Sequence, residues 1–169
     1  MKKELTRRSF LKLAGVGALA VAMSGSLTGC DVIDNLKDMD SVSAAIGDVK
    51  FMLSASVWVN NGSNGMSYQP TCEIRNNSKK AVTYGGSGCE VIITGVLTDK
   101  NGKEYPMTYA GENGSAPAGE KYEVKDFRLV AVGKGLYVEG SKVVTTFTYK
   151  GKKAVFTEYY DGDITSKVE

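Results

Sequence analysis

The sequence predicts an all-β domain, an antiparallel sandwich of about seven to eight strands. Apolar residues recur at every second position in several runs between residues 48 and 160, which is the period of a strand with one buried face. Clusters of Asn, Gly, Ser and Lys separate these runs at regular intervals, as the turns of an all-β domain do. None of the runs has the period of an amphipathic helix.

The first half of the domain shows the clearest alternation. In residues 48–59 every odd position from 49 onward is apolar, and we predict one strand there. Residues 68–75 form the next strand, where Pro70 favours an edge or the start of the strand because it lacks an N–H group. A short strand over 81–84 precedes a flexible glycine-rich stretch. A long apolar strand over 89–98 follows, with Cys89, Val91, Ile93 and Leu97 in phase.

The second half begins with a hairpin. Residues 99–103 contain an Asn-Gly pair, which tolerates the positive φ that tight hairpins require, and 104–109 form the returning strand. Within 121–130 the apolar phase slips near Asp126, which suggests a β-bulge. The last two predicted strands are 141–149 and the run that ends at residue 160, joined by a Lys-Gly-Lys turn.

The first 29 residues have the layout of an export signal. Five basic residues and one acid precede an uncharged stretch, residues 13–29, that is rich in small residues. At 17 residues this stretch is short for a permanent membrane span. It also lacks the polar face of a surface helix, so a removable signal peptide is the better interpretation.

Two motifs refine this interpretation. The run that contains Arg7, Arg8, Phe10 and Leu11 resembles the twin-arginine export signal. The run of Leu27, Thr28, Gly29 and Cys30 resembles a bacterial lipobox, in which the cysteine receives a diacylglyceryl group and becomes the first residue. This resemblance implies a mature protein anchored through Cys30, because two acyl chains hold a protein stably at a membrane. The location it implies is the outer face of the cytoplasmic membrane, in the cell envelope.

The chain therefore divides into a signal peptide at 1–29, a tether at 30–47 and the sandwich domain at 48–169. The whole chain has a formal charge of +2, from 21 basic and 19 acidic residues. Removing the five basic residues and one acid of the signal leaves 16 and 18, a charge of about −2. The mature part thus gives no compositional support for a nucleic-acid partner.

The turns of the domain carry a further resemblance. An Asn-rich turn at 76–78, the hairpin at 99–103 and a Pro-x-Gly-Glu turn at 117–120 are similar to those of immunoglobulin-like domains in bacterial surface lipoproteins. The resemblance covers roughly residues 48 to 160 and implies an immunoglobulin-like sandwich. The two cysteines lie too close together in sequence for the usual pair between sheets, and Trp58 precedes both.

The residue inventory argues against an enzyme. The chain has no histidine, which excludes Ser-His-Asp and Cys-His catalysis and the usual zinc sites. No phosphate-binding motif is present, and we expect no metal and no cofactor. The aspartates at 31, 34, 38 and 40 lack the spacing of a calcium loop, and we interpret Glu112, Asp161 and Asp163 as solvated turn residues.

Aromatic side chains give the best indication of a binding surface. We name Trp58, Tyr137, Tyr159 and Tyr160 as candidates for contact with a glycan or a protein, although alternation places some aromatics in the core. Cys72 and Cys89 are expected to form a disulfide after export, with two buried free thiols as the alternative.

These features together predict a lipid-anchored binding or accessory module of the cell envelope. Its partners would be membrane lipid, through the acylated Cys30, and an envelope protein or glycan. One alternative is a cofactor-carrying or enzymatic lipoprotein exported in the folded state, which the twin-arginine route would suit. The other is a structural spacer within an envelope complex.

Overall fold

The structure, a computed structural model, describes residues 41–54, 58–61 and 64–169, and describes 58–61 by backbone alone. The predicted signal peptide, Cys30 and most of the predicted tether therefore lie outside the described residues.

The described residues contain fourteen strands and no helix. The strands are β1 (Ser41–Ile46), β2 (Val49–Ser54), β3 (Trp58–Asn61), β4 (Gly65–Gln69), β5 (Cys72–Asn76), β6 (Val82–Gly85), β7 (Val91–Thr98), β8 (Glu104–Tyr109), β9 (Gly114–Ala116), β10 (Lys121–Glu123), β11 (Leu129–Val132), β12 (Lys142–Tyr149), β13 (Lys152–Tyr159) and β14 (Ile164–Val168).

The strands form two sheets. The smaller has the order β1-β2-β5-β10, and the larger has the order β14-β13-β12-β7-β8-β11-β4-β3. Strand β6 pairs with β7 in parallel and with β9 in antiparallel orientation. The other described pairs are also antiparallel. The sheets face each other, since the ring of Phe51 in β2 stacks on that of Phe147 in β12 at 4.8 Å between centroids. The predicted all-β antiparallel sandwich is confirmed, and the immunoglobulin-like resemblance stays a prediction.

The number of strands is nearly twice the predicted seven to eight, because three predicted strands are each two shorter ones and β1, β9 and β14 were not predicted. The alternating run at 48–59 contains β2, in the smaller sheet, and β3, at the end of the larger one. The run at 68–75 likewise spans the end of β4 and most of β5, with Pro70 between them. In the run at 68–75 every second residue from Tyr68 to Ile74 is buried on both sides of the change of sheet, so the alternation does not show where one strand ends.

The predicted bulge near Asp126 is also a change of sheet. Strand β10 pairs with β5 in the smaller sheet, and β11 pairs with β4 and β8 in the larger one. Asp126, between them, has a φ of +52°, and Val124 and Phe127 on either side are both buried. The phase slips because the chain turns between sheets while it keeps both apolar side chains in the core.

The domain begins earlier and ends with one more strand than predicted. Strand β1 lies in the range assigned to the tether, where Ala44 and Ile46 are buried in the core. Strand β14, which was not predicted, pairs with β13 and contacts β1, and the Ser166 hydroxyl donates to the Ser43 carbonyl at 2.9 Å. The first and last strands thus join the two sheets along one side.

The two predicted hairpins are confirmed. At the first, Asp99 N–H donates to the Lys103 carbonyl at 2.9 Å, and Gly102 has a φ of +82°. At the second, Lys150 and Gly151 both have positive φ, the geometry of a two-residue type I′ turn. This turn sets the register of β12 and β13, two eight-residue strands of the larger sheet.

Candidate functional site

A groove lies at the end of β13, where two segments distant in sequence meet. One is the loop 133–141 between β11 and β12, and the other is the turn that joins β13 to β14. The groove has a volume of about 190 Å³, and we call it the tyrosine groove. Its lining residues are Glu139, Gly140, Ser141, Tyr159, Tyr160 and Asp161.

Ser141 holds the loop side of the groove in place. Its hydroxyl donates to the Val138 carbonyl at 2.6 Å and accepts from Val138 N–H at 3.0 Å. Its own carbonyl accepts a hydrogen bond from Tyr160 N–H at 3.0 Å, which ties the loop to the turn. Gly140, beside it, has a φ of +87°, a conformation that glycine adopts without strain. The backbone of the groove is therefore fixed on both sides.

The turn side is fixed by its own hydrogen bonds. Tyr159 N–H donates to the Asp163 carbonyl at 2.8 Å, and Gly162 N–H donates to the Tyr159 carbonyl at 2.9 Å. Gly162 has a φ of +98°, and the Asp163 N–H lies 3.3 Å from Asp161 Oδ1. These bonds place the Asp161 carboxylate beside the two tyrosines.

The structure brings three of the four predicted aromatic residues together. Tyr159 is 42% exposed, Tyr160 is half-buried, and Tyr137 is buried beneath them. The rings of Tyr137 and Tyr160 lie 5.3 Å apart with planes at 55°, so Tyr137 supports the groove from below. Trp58 belongs to β3, but its side chain lies outside the described residues, and its predicted role stays a prediction.

Charges of both signs surround the groove. Its lining contains two acids, Glu139 and Asp161. Lys142 stands opposite Tyr159 in the β12–β13 register and so projects from the same face of the sheet. A Cβ at Gly140 would lie 3.5 Å from the Cβ of Lys100, which places a second lysine at the border. The lining and border of the groove therefore contain both acidic and basic residues.

Sequence reasoning missed the loop side of the groove. Glu139 and Gly140 follow a glycine-rich stretch that indicates a loop, and Ser141 begins the predicted strand 141–149. The two-residue turn at 150–151 sets the register that brings Ser141 beside Tyr160, and this was the signal that could have found it. Of the three acids that we interpreted as solvated turn residues, Asp161 lines the groove, while Asp163 contributes backbone atoms to its turn. Glu112 lies in the loop between β8 and β9 and is not part of the groove lining.

A buried polar cluster lies on the opposite face of β13. The Tyr68 hydroxyl, on β4, donates to Glu158 Oε2 at 2.8 Å, and both residues are at most 1% exposed. Burial raises the pKa of Tyr68 well above its usual value, and the neighbouring Glu158 carboxyl raises this pKa further. Thr145, on β12, is also buried and lies beside Tyr68. This cluster joins strands from both ends of the larger sheet inside the core.

The disulfide predicted between Cys72 and Cys89 is not formed in the structure, where both thiols are free. Cys72 is buried in β5, and burial raises the pKa of its thiol, which keeps the sulfur protonated and unreactive. The expectation had placed Cys89 on the apolar face of the next strand. That strand begins at Val91, and Cys89 lies half-buried in the preceding turn.

Neither a metal site nor a membrane-spanning helix is found among the described residues. No group of three or more Cys, Asp or Glu side chains there is arranged to hold a metal ion. No helix in the same residues is long and apolar enough to cross a bilayer.

The chain was compared with known protein families, curated proteins and solved structures. It matches no family model, no curated protein and no solved structure at a significant level.

Proposed function

We propose that this protein is a lipid-anchored binding module of the cell envelope and that the tyrosine groove is its binding surface. The observation that carries the binding role is the groove itself, where an exposed ring, Tyr159, stands beside the supported ring of Tyr160. Partly exposed tyrosines on a fixed backbone are favourable binding residues, because they offer a large contact area and lose little conformational freedom.

The anchoring role is supported by the sequence motifs. The paired Arg7 and Arg8 precede the uncharged stretch, and Cys30 ends it at the position of a lipobox cysteine. A thiol is needed to form the thioether to a diacylglyceryl group, so the proposal depends on this single side chain. Strand β1 begins eleven residues after Cys30, which leaves a short tether between the membrane and the sandwich.

Anchoring is tested by fractionating cells that express the wild-type chain or Cys30→Ser. We expect the wild type in the membrane fraction, with an N-terminal peptide that starts at residue 30 and carries the lipid mass. The Cys30→Ser variant should remain an uncleaved precursor or lose the lipid mass. A wild-type protein that retains Met1 would contradict the proposed anchor.

The binding role is tested by crosslinking in membranes. A photo-reactive group at position 159 should capture an envelope component in stoichiometric amount, and Asp161→Ala should reduce this capture. The same group at Tyr122, a half-buried ring on β10 in the smaller sheet, is the matched control. Equal capture at both positions would show that the groove has no special role.

A further inference from the structure

The size of the tyrosine groove limits what it can hold. Sites for drug-sized ligands usually measure about 300–1,000 Å³. At about 190 Å³ this groove accommodates one ring-sized group, and it is open, so the rest of a larger molecule can extend outside it. This fits one residue of a chain better than a whole isolated ligand.

The aromatic residues suit a particular kind of ring. Tyr159 offers an exposed surface, while Tyr160 is held by its contact with Tyr137 at 5.3 Å between ring centroids. A tyrosine ring has an apolar face and a polar hydroxyl at its tip. A pyranose has the complementary form, since its C–H groups make an apolar face and its hydroxyls surround the edge.

The polar groups distinguish a neutral ligand from a charged one. The carboxylates of Glu139 and Asp161 accept hydrogen bonds from hydroxyl groups, and each has about four acceptor positions. Lys100 and Lys142 lie at the border, and the ammonium group of a lysine is a hydrogen-bond donor. Because acidic and basic residues both border the groove, it offers donors and acceptors that the hydroxyl groups of a neutral polyol can use.

We propose that the tyrosine groove binds one residue of a neutral saccharide chain, with the sugar ring packed against Tyr159 and Tyr160. This inference rests on the proposed function, since it names the ligand class of the same surface. The carboxylates of Glu139 and Asp161 accept the hydroxyl hydrogens of the sugar.

The test measures binding of tetrasaccharides to the full chain in a detergent without a sugar headgroup. The probes are neutral tetrasaccharides of glucose and of N-acetylglucosamine, with oligogalacturonate and oligoglucosamine as the anionic and cationic counterparts. We expect at least one neutral probe to bind about tenfold more tightly than both charged ones. Tyr159→Ala and Asp161→Asn should each weaken this binding about tenfold.

Matched variants separate the groove from general effects. Tyr122→Ala removes a ring from the other sheet and should leave saccharide affinity unchanged. Thermal unfolding of each variant shows whether it folds. Tyr159 and Asp161 are both exposed, so we expect their variants to fold.

Three results would overturn the inference. They are the absence of binding to any neutral probe, tighter binding to a charged probe, and neutral binding that Tyr159→Ala and Asp161→Asn leave unchanged. If position 159 still captures a protein in membranes while no saccharide binds, the proposed function stands and the ligand class is wrong. If position 159 captures no more than position 122 and no saccharide binds, both proposals fail.

Discussion

Replacing Tyr68 with Phe tests whether the buried polar cluster stabilises the sandwich. The substitution removes one hydroxyl group, which donates to Glu158 Oε2 at 2.8 Å, and keeps the ring in the core. Tyr68 and Glu158 are 90 residues apart in sequence. Their strands, β4 and β13, lie in distant parts of the larger sheet. The hydrogen bond therefore joins parts of the fold that the strand ladder does not join directly.

The size of the effect follows from burial. Both side chains are withdrawn from water, so no solvent molecule replaces the lost donor. Loss of one partner from a buried hydrogen bond costs about 1–3 kcal/mol, and more when the remaining group is charged. We expect the free energy of unfolding to fall by about 2 kcal/mol, which lowers the melting temperature by roughly 4–8 °C for a domain of this size.

The assay is urea unfolding followed by circular dichroism, for Tyr68→Phe, Glu158→Gln and the double variant. Tyr105→Phe is the control, since its hydroxyl contacts Asp99 Oδ2 at 3.3 Å in a partly exposed position, and it should change stability by less than about 0.5 kcal/mol. The double variant should show a coupling energy of about 1 kcal/mol. If Tyr68→Phe costs no more than Tyr105→Phe, the cluster does not stabilise the fold.

Two further predictions concern the pH dependence of stability and the buried side chain of Asn76. The free energy of unfolding should fall in alkaline solution, because the pKa values of Tyr68 and Cys72 are higher in the folded protein than in the unfolded chain. The stability that these two protonated groups contribute is complete below the unfolded pKa and is lost as the pH rises. Urea titrations with reductant should show the free energy of unfolding falling by about 1.4 kcal/mol per pH unit for each of these groups above its unfolded pKa. Tyr68→Phe should make this fall less steep. A free energy of unfolding that stays constant from about pH 8 to 11 would contradict the prediction. Asn76→Ala should cost about 2 kcal/mol or more in the same assay, because the fully buried Asn76 amide donates to the carbonyls of Lys80 and Ala116 and accepts from Ser78 N–H. Asn77→Ala, at the exposed neighbouring position, is the control and should be nearly neutral.

The fold class could be predicted because each strand reports its buried face in its own sequence. In β12 the residues Val143, Thr145, Phe147 and Tyr149 alternate with more exposed ones, and all four are buried in the structure. The turn could also be predicted from its own residues, since Lys150 and Gly151 adopt the positive φ that a two-residue hairpin requires. The buried face of β12 and the turn at 150–151 were therefore predicted correctly from neighbouring residues.

Sheet membership could not be predicted, because it depends on partners far away in sequence. Residues 48–59 alternate throughout, yet β2 pairs with β1 and β5 whereas β3 pairs with β4. In the run at 68–75 every second residue from Tyr68 to Ile74 stays buried across the crossing, so the alternation there contains no sign of it. Only Pro70 and the phase slip at Asp126 marked such crossings, and the second resembled a bulge.

The tyrosine groove contains some residues that local sequence predicted and others that only contacts between distant segments bring together. Tyr159 and Tyr160 were candidates from sequence because aromatic side chains can offer a contact surface, and alternation places only some of them in the core. Glu139 and Ser141 were not, since their loop meets the turn through the hydrogen bond from Tyr160 N–H to the Ser141 carbonyl and through the contact of the Tyr137 and Tyr160 rings. Strand β13 thus presents Glu158 to the core and Tyr159 to the groove on consecutive residues. A variant that loosens the core at Glu158 should therefore weaken binding only to the extent that it unfolds the protein, whereas Tyr159→Ala should weaken binding in a protein that remains folded.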